Sequence, residues 1–242
     1  MIAGWRERAI FLVATVAACA GTARLGVWQL DRAAQKQAIA DAIRTRSTQP
    51  PLPQAELARD AAAAVGQHYR PVVVSGRWLA ARTVFLDNRQ MDGRPGFFVL
   101  TPLELAPGDA VLVQRGWLPR NFQDRTQLPA LPTPEGAVRL FGRIAPPPSS
   151  LLGFSEGERG PIRQNLVLDD FSREIGIRLR PLSIQQLDEP SAPAEPLQRR
   201  WSQPVLDTGK HHGYAFQWFA LSALIAGFYV WFQILRPRRG GR

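Results

Sequence analysis

The sequence predicts an α+β membrane protein, with two terminal transmembrane helices flanking a mainly antiparallel β domain outside the cytoplasm. Three observations predict it. Apolar residues gather into one block at each end of the chain. Between the blocks, short β-branched and aromatic runs alternate with Gly- and Pro-containing turns. Basic residues crowd the outer flanks of the two blocks. The mean hydropathy of −0.16 averages over this segregation and hides it.

The first block, Ala9 to Leu30, and the second, Tyr214 to Leu235, have 22 residues each. As helices they reach roughly 33 Å, enough for a hydrocarbon core of about 30 Å. The second carries no charge. Tyr214 and Trp218 lie near one end and Tyr229 and Trp231 near the other, as interfacial aromatic belts do. The first contains Arg24, which can snorkel to the far interface if Ala9 enters from the cytoplasm. Arg6 and Arg8 followed by Ala18-Cys19-Ala20 also fit a signal peptide, and Val16-Ala17-Ala18-Cys19 fits a lipoprotein box. Apolar character resumes after Cys19 with Leu25, Val27, Trp28 and Leu30, so an uncleaved helix is the reading adopted.

Charge sets the orientation. Arg6 and Arg8 precede the first block. Arg236, Arg238, Arg239 and Arg242 follow the second. Positive flanks stay cytoplasmic, so both termini are placed inside and the central segment outside. Eight residues before the first span leave no room for a mitochondrial transit peptide, which points to a bacterial inner (plasma) membrane and a periplasmic domain. The organisation read from this is a cytoplasmic N-terminus (1–8), a first transmembrane helix (9–30), a helical connector (31–68) and a periplasmic β-rich domain (69–209). A second transmembrane helix with its boundary (210–235) and a basic cytoplasmic tail (236–242) complete it.

Within the connector, Asp31–Arg44 continues the first helix, Pro50, Pro51 and Pro53 break it, and Gln54–Ala64 reads as a short Ala-rich helix. Strands follow at Val72–Trp78, Thr83–Asp87, Gly96–Leu100, Ala110–Gln114 and Ala137–Ile144. Turn signals Asp92-Gly93, Pro107-Gly108 and Glu135-Gly136 separate them. Asp169–Ile175 reads as a short helix and Leu182–Leu187 as a last strand.

Several chemistries are excluded. One cysteine, Cys19, permits neither an internal disulfide nor a Cys-based zinc site, and three histidines make a His-rich metal cage improbable. The net charge of +10 would suit nucleic acid. However, six of those ten charges come from residues 1–35 and 211–242, so the excess is a topology signal. No nucleic-acid motif, Walker loop or dinucleotide fingerprint occurs. Asp87, Asp92, Asp109 and Asp169 show no spacing of a general acid and base. Gly153-Phe154-Ser155-Glu156-Gly157 matches a nucleophile elbow, but Pro161 follows too soon for the helix that chemistry requires.

His211 and His212 remain. They stand at the outer end of the second span, where a neutral imidazole can ligate haem iron beside an apolar wall. Paired histidines there can equally be interfacial anchors, as can Trp28, Trp218 and Trp231. Arg115-Gly116-Trp117 reads as a strand end. Its arginine can pair with a carboxylate inside the domain or with a haem propionate.

Three blocks resemble a known family. Leu25-Gly26-Val27-Trp28-Gln29-Leu30-Asp31-Arg32 is similar to the LGxWQLxR signature of the Surfeit locus protein 1 family. Gly96–Leu103 (GFFVLTPL), followed by Val111–Pro119 (VLVQRGWLP), resembles its central GxxVxTPL…VLVNRGWVP block. His211–Phe219 (HHGYAFQWF) resembles its NHLxYAxxWF motif. The blocks occur in family order. The resemblance implies a non-enzymatic assembly factor for cytochrome c oxidase that transiently binds haem a and assists its insertion into subunit I. It implies contact with subunit I, haem a synthase and the lipid bilayer, and none with nucleic acid. It places the haem ligand at His211, with Tyr214, Trp218 and Arg115 completing the cofactor-binding set. Lys210, Gln35, Gln114 and Trp78 depart from the family pattern, which has asparagine, tryptophan, asparagine and phenylalanine there. A cofactor-free scaffold for an early oxidase subunit, or a membrane-anchored periplasmic hydrolase, are the alternatives.

Overall fold

The computed structural model describes residues 4–121, 128, 131–148, 160–188, 196–201 and 209–236. The chain divides into two compact units, residues 1–41 with 205–242, and residues 42–204. The Ser155 motif lies outside the described residues.

The first unit is a helix pair. Helix α1 runs over Trp5–Arg46, and α4 over Gly209–Tyr229 with a π-helical extension at Val230–Leu235. Both are long and apolar enough to cross a membrane. Neither is sheathed by protein: Phe11, Val13, Val16, Phe216, Leu224 and Phe228 all stand exposed. The sheltered positions are Thr15, Cys19, Thr22, Gly26, Gln29 and Ala33 on α1, and His211, Ala215, Trp218, Ser222, Ile225 and Tyr229 on α4. They recur every three or four residues, the spacing of a helix–helix seam. On α1 the seam is made of small and polar groups, on α4 Ala215 and Ser222 alternate with the larger Trp218, Ile225 and Tyr229, and most large apolar side chains of both helices face outward. That is the pattern expected in lipid, where close packing and interhelical hydrogen bonds replace the hydrophobic drive. Ser222 Oγ donates to the Cys19 carbonyl (3.2 Å) and Cys19 Sγ to the Ser222 carbonyl (3.5 Å). At Gly26 the ring of Phe219 comes so close that a Cβ would meet it at 2.8 Å.

As its composition predicts, α1 continues past Leu30. Residues 31–44 contain no Gly or Pro, and Arg32–Gln35 and Gln37–Asp41 hydrogen bonds lie along their surface.

The second unit is built on a seven-stranded sheet. Its strands are β1 (Pro71–Trp78), β2 (Val84–Met91), β3 (Arg94–Ala106), β4 (Asp109–Pro119), β5 (Ala137–Ala145), β6 (Ile162–Arg163) and β7 (Arg178–Gln186). The order is β1-β5-β7-β4-β3-β2-β6, and β1 also pairs with β3 through Arg77↔Glu104 and Trp78↔Leu103. Five strands therefore close on themselves, and β2 and β6 extend the sheet beyond β3. The expected antiparallel character holds in five pairings. The pairs β4–β7 and β2–β6 are parallel.

Val111 and Val113 of β4 face one cluster with Val72, Val74, Leu140 and Ile184. Leu112 faces another, made with Leu100 and with Leu168, Phe171 and Ile175 of helix α3 (Leu168–Ile175). Burial on both faces is why this strand reads as an unbroken apolar run. Two-residue turns with positive φ at Asp92 (51°) and Gly93 (76°) join β2 to β3, as the Asp-Gly signal predicts.

Two expectations are corrected. Residues 54–64 are not one helix. A 3₁₀ turn at Gln54–Glu56 is followed by helix α2 at Ala61–Gln67. Leu57 and Ala58 leave the helical path to enter the core, and Asp60 restarts the helix by capping the Ala63 amide at 2.8 Å. Likewise, β4 does not end at Gly116. Residues 197–198 run alongside, and Trp117 and Gln198 exchange both backbone hydrogen bonds at 2.8 and 2.9 Å.

Two of the domain's buried arginines, Arg163 and Arg180, are paired with carboxylates. Arg180, 4 % exposed, grips both oxygens of Asp109 at 2.7 and 2.6 Å and also donates to the Leu57 carbonyl. The hydrogen bond from Arg180 holds the Asp109 carboxyl below its usual pKa, against an opposing effect of burial. The stability this contributes is complete above the unfolded carboxyl pKa and is lost as pH falls through the lower, folded value. Asp109→Ala is expected to cost about 3 kcal/mol at neutral pH, because it strands a buried guanidinium. Denaturant unfolding at pH 7 and pH 3 checks this: the gap between wild type and variant narrows in acid.

Candidate functional site

The candidate site lies on the helix pair. Lys210, His211 and His212 occupy the first turn of α4, where adjacent side chains point about 100° apart. His212 is exposed, whereas His211 is half-buried on the seam. Its Nδ1 stands 2.7 Å from Gln29 Oε1 on α1. A carboxamide oxygen only accepts, so Nδ1 is the donor in this contact, and in the neutral imidazole that arrangement leaves the lone pair on Nε2. Tyr214 and Trp218 follow three and seven residues on, along the same side of α4. Tyr214 is 51 % exposed and Trp218 half-buried. Trp28 and Trp231 stay on the outer surface, 48 % exposed each, and the Arg32 guanidinium lies 5.7 Å from the Trp28 ring centre.

This arrangement fits one haem ligand. An imidazole engaged at Nδ1 has one ring nitrogen, Nε2, left for a ligand, and two aromatic rings continue the surface beside it. Among the described residues, no three His, Cys, Asp or Glu gather into a metal cage.

Arg115 belongs to the second unit and is 1 % exposed. Its guanidinium lies 4.9 Å from the Trp78 ring centre and donates to Thr133 Oγ1 (2.9 Å) and the Pro132 carbonyl (3.1 Å). Within that unit it ties β4 to the 131–136 segment. Trp78 offers the cation a richer π face than phenylalanine would. Gln114 donates to Ser183 Oγ at 2.8 Å across the parallel β4–β7 pair, and Gln35 accepts from Arg32 on α1 at 3.1 Å. Three of the four departures from the family pattern thus have local structural roles.

Among the described residues, four of the domain's carboxylates meet arginines: Asp87 with Arg120, Asp92 with Arg200, Asp109 with Arg180, Glu174 with Arg163. None of these pairs is a general acid–base dyad. His68 is held toward its neutral form by burial, with the nearby charge of Arg46 adding to that.

The residue that inspection of single positions missed is Gln29. It was visible as the one uncharged polar side chain in Leu25–Leu30, an apolar stretch bordered by charge.

The model of the SURF1 family matches residues 16–223. A SURF1-like protein of Dictyostelium discoideum is 23 % identical over 248 residues, covering 88 % of this chain and 91 % of that protein. An uncharacterized SURF1-like protein of Mycobacterium tuberculosis is 25 % identical over 243 residues, covering 98 % of this chain and 87 % of its own length. The cytochrome oxidase assembly protein SHY1 of Saccharomyces cerevisiae is 30 % identical over 100 residues, covering 39 % of this chain and 24 % of the yeast protein.

Proposed function

The chain belongs to the SURF1 family, and from that membership we propose that it is a membrane-anchored assembly factor for cytochrome c oxidase that binds haem a and assists its insertion into subunit I. The observation that carries the haem assignment is the His211–Gln29 contact, which engages Nδ1 and leaves Nε2 for a ligand at the start of an apolar span. The assembly role is supported by the name of the related yeast protein, a cytochrome oxidase assembly protein.

In this reading both termini are cytoplasmic, the first span is an uncleaved anchor, and the β domain lies in the periplasm of a bacterial inner membrane. Flanking arginines and the two unsheathed apolar helices support that topology. Haem, when bound, would supply an iron that accepts a nitrogen donor. His211 would hold it through Nε2, Tyr214 and Trp218 would offer aromatic surface beside it, and the β domain would contact subunit I and haem a synthase. The protein carries and hands over rather than turning over a substrate.

The test is the visible spectrum of detergent-purified protein after co-expression with a haem a synthesis pathway. Wild type is expected to show a haem a spectrum, and His211→Ala to lose at least nine-tenths of it. A colourless wild type from cells whose oxidase falls when the gene is deleted would replace this reading with a cofactor-free scaffold. Haem retained by His211→Ala would remove the ligand assignment alone.

A further inference from the structure

We propose that Gln29 is the positioning residue for His211: by accepting the Nδ1 proton it fixes the imidazole tautomer and keeps Nε2 open for iron. The inference rests on the haem reading above and deepens it. Nδ1 and Oε1 are 2.7 Å apart, bridging positions 182 residues apart in the chain. A free neutral imidazole prefers its proton on Nε2, the nitrogen that would then have to lose it before ligating. A carboxamide oxygen opposite Nδ1 reverses that preference without adding charge. A carboxylate would do the same but would also favour the imidazolium, which cannot ligate. An uncharged acceptor therefore suits a ligand at the edge of an apolar span.

The contact also chooses between the two adjacent histidines. His212 is exposed and His211 is half-buried against α1, so only one imidazole meets an acceptor on the other helix. What brings Gln29 into register is the seam itself, through the Cys19–Ser222 hydrogen bonds and the Gly26–Phe219 contact. The ligand's orientation is thus set by the pairing of the helices, not by its own turn alone.

The test needs no haem. The chain has only three histidines, so ¹⁵N-histidine labelling of the full-length protein in detergent at pH 8 gives three imidazole spin systems. Long-range ¹⁵N–¹H correlation then reads the tautomer of each. One system, absent from His211→Ala, is expected to carry its proton on Nδ1. Gln29→Leu is expected to move that system to the Nε2-protonated form, and Gln29→Glu, which keeps an acceptor, to hold it on Nδ1. In the haem-loaded proteins, Gln29→Leu is expected to weaken haem retention about 10- to 100-fold, the usual cost of removing a ligand's hydrogen-bond partner. A wild-type His211 protonated on Nε2, or a tautomer unmoved by Gln29→Leu, would overturn the proposal. A colourless wild type with the Nδ1 tautomer in place would instead overturn the haem reading and leave the contact standing.

Discussion

Gly96→Ala is expected to destabilise the β domain by about 3 kcal/mol, near the upper end for overpacking a core. A Cβ at Gly96 would fall on the Leu118 carbonyl oxygen and meet Trp117 Cε2 and Cζ2 at 2.5 Å. Neither neighbour can give way. Leu118 belongs to the β4 backbone, paired in register with β3 through Phe97↔Leu118 and Gly96↔Pro119. Trp117 is 1 % exposed, and its indole nitrogen donates to the Arg89 carbonyl at 2.8 Å. The glycine of one sequence block and the tryptophan of the next are thus two halves of one contact. Thermal unfolding followed by near-ultraviolet circular dichroism should show Tm lowered by roughly 10 °C in a domain of this size. The control is Gly66→Ala in α2, where a Cβ meets nothing within 4 Å. There the better helix former should be neutral or stabilise by up to about 1 kcal/mol. A Gly96→Ala protein as stable as wild type would mean that β3 and β4 do not pack as described.

Much of the fold was legible because it rests on local pattern. Residues 169–175 alternate apolar and charged side chains at helical spacing, and Leu168–Ile175 is a helix with its apolar side in the core. Asp92-Gly93 announced a hairpin because that dipeptide accepts positive φ. Legibility failed where a distant segment decides. The strand β4 continues through Gly116 because β3 pairs with it as far as Gly96↔Pro119 and residues 197–198 pair on its other side, where a Cβ on Gly116 would meet Leu197 at 2.8 Å. The helix expected over 54–64 breaks because Leu57 has a core to enter. Strand β6 has two residues, too few for any period. Closure of the sheet through Arg77↔Glu104 and Trp78↔Leu103 leaves no trace in either segment alone.

The site follows the same division. His211 was legible from its place at the edge of an apolar span and from the motif around it. Its distinction from His212 was not, because both are adjacent and polar; the face each presents depends on where α1 lies. Gln29 stood inside a recognised block yet had no assignable role until its partner 182 residues away came within 2.7 Å. Arg115 shows the converse. Its motif is conspicuous in sequence, and within the β domain its cation serves Trp78, Thr133 and Pro132.

Gly26→Leu should separate the helices and with them the ligand from its acceptor. Gly26 is buried on the seam, and a Cβ there already meets three ring atoms of Phe219 at 2.8–3.0 Å. Phe219 is 38 % exposed, so its ring can swing aside for one methyl group, and Gly26→Ala should be mild. Leucine adds three further carbons at the closest approach of two helices whose attraction depends on that closeness. The Cys19–Ser222 hydrogen bonds and the His211–Gln29 contact lie along the same seam, so both should lengthen together. The native cysteine supplies the measurement. Ser222→Cys places a second thiol opposite Cys19, and mild oxidation should join the two helices within one chain, visible as altered mobility on a non-reducing gel. Adding Gly26→Leu should abolish at least nine-tenths of that crosslink and reduce haem retention by tenfold or more. Gly26→Ala should preserve both. Efficient crosslinking in the leucine variant would show that the seam does not set the register, and would also detach His211's orientation from the pairing of the helices.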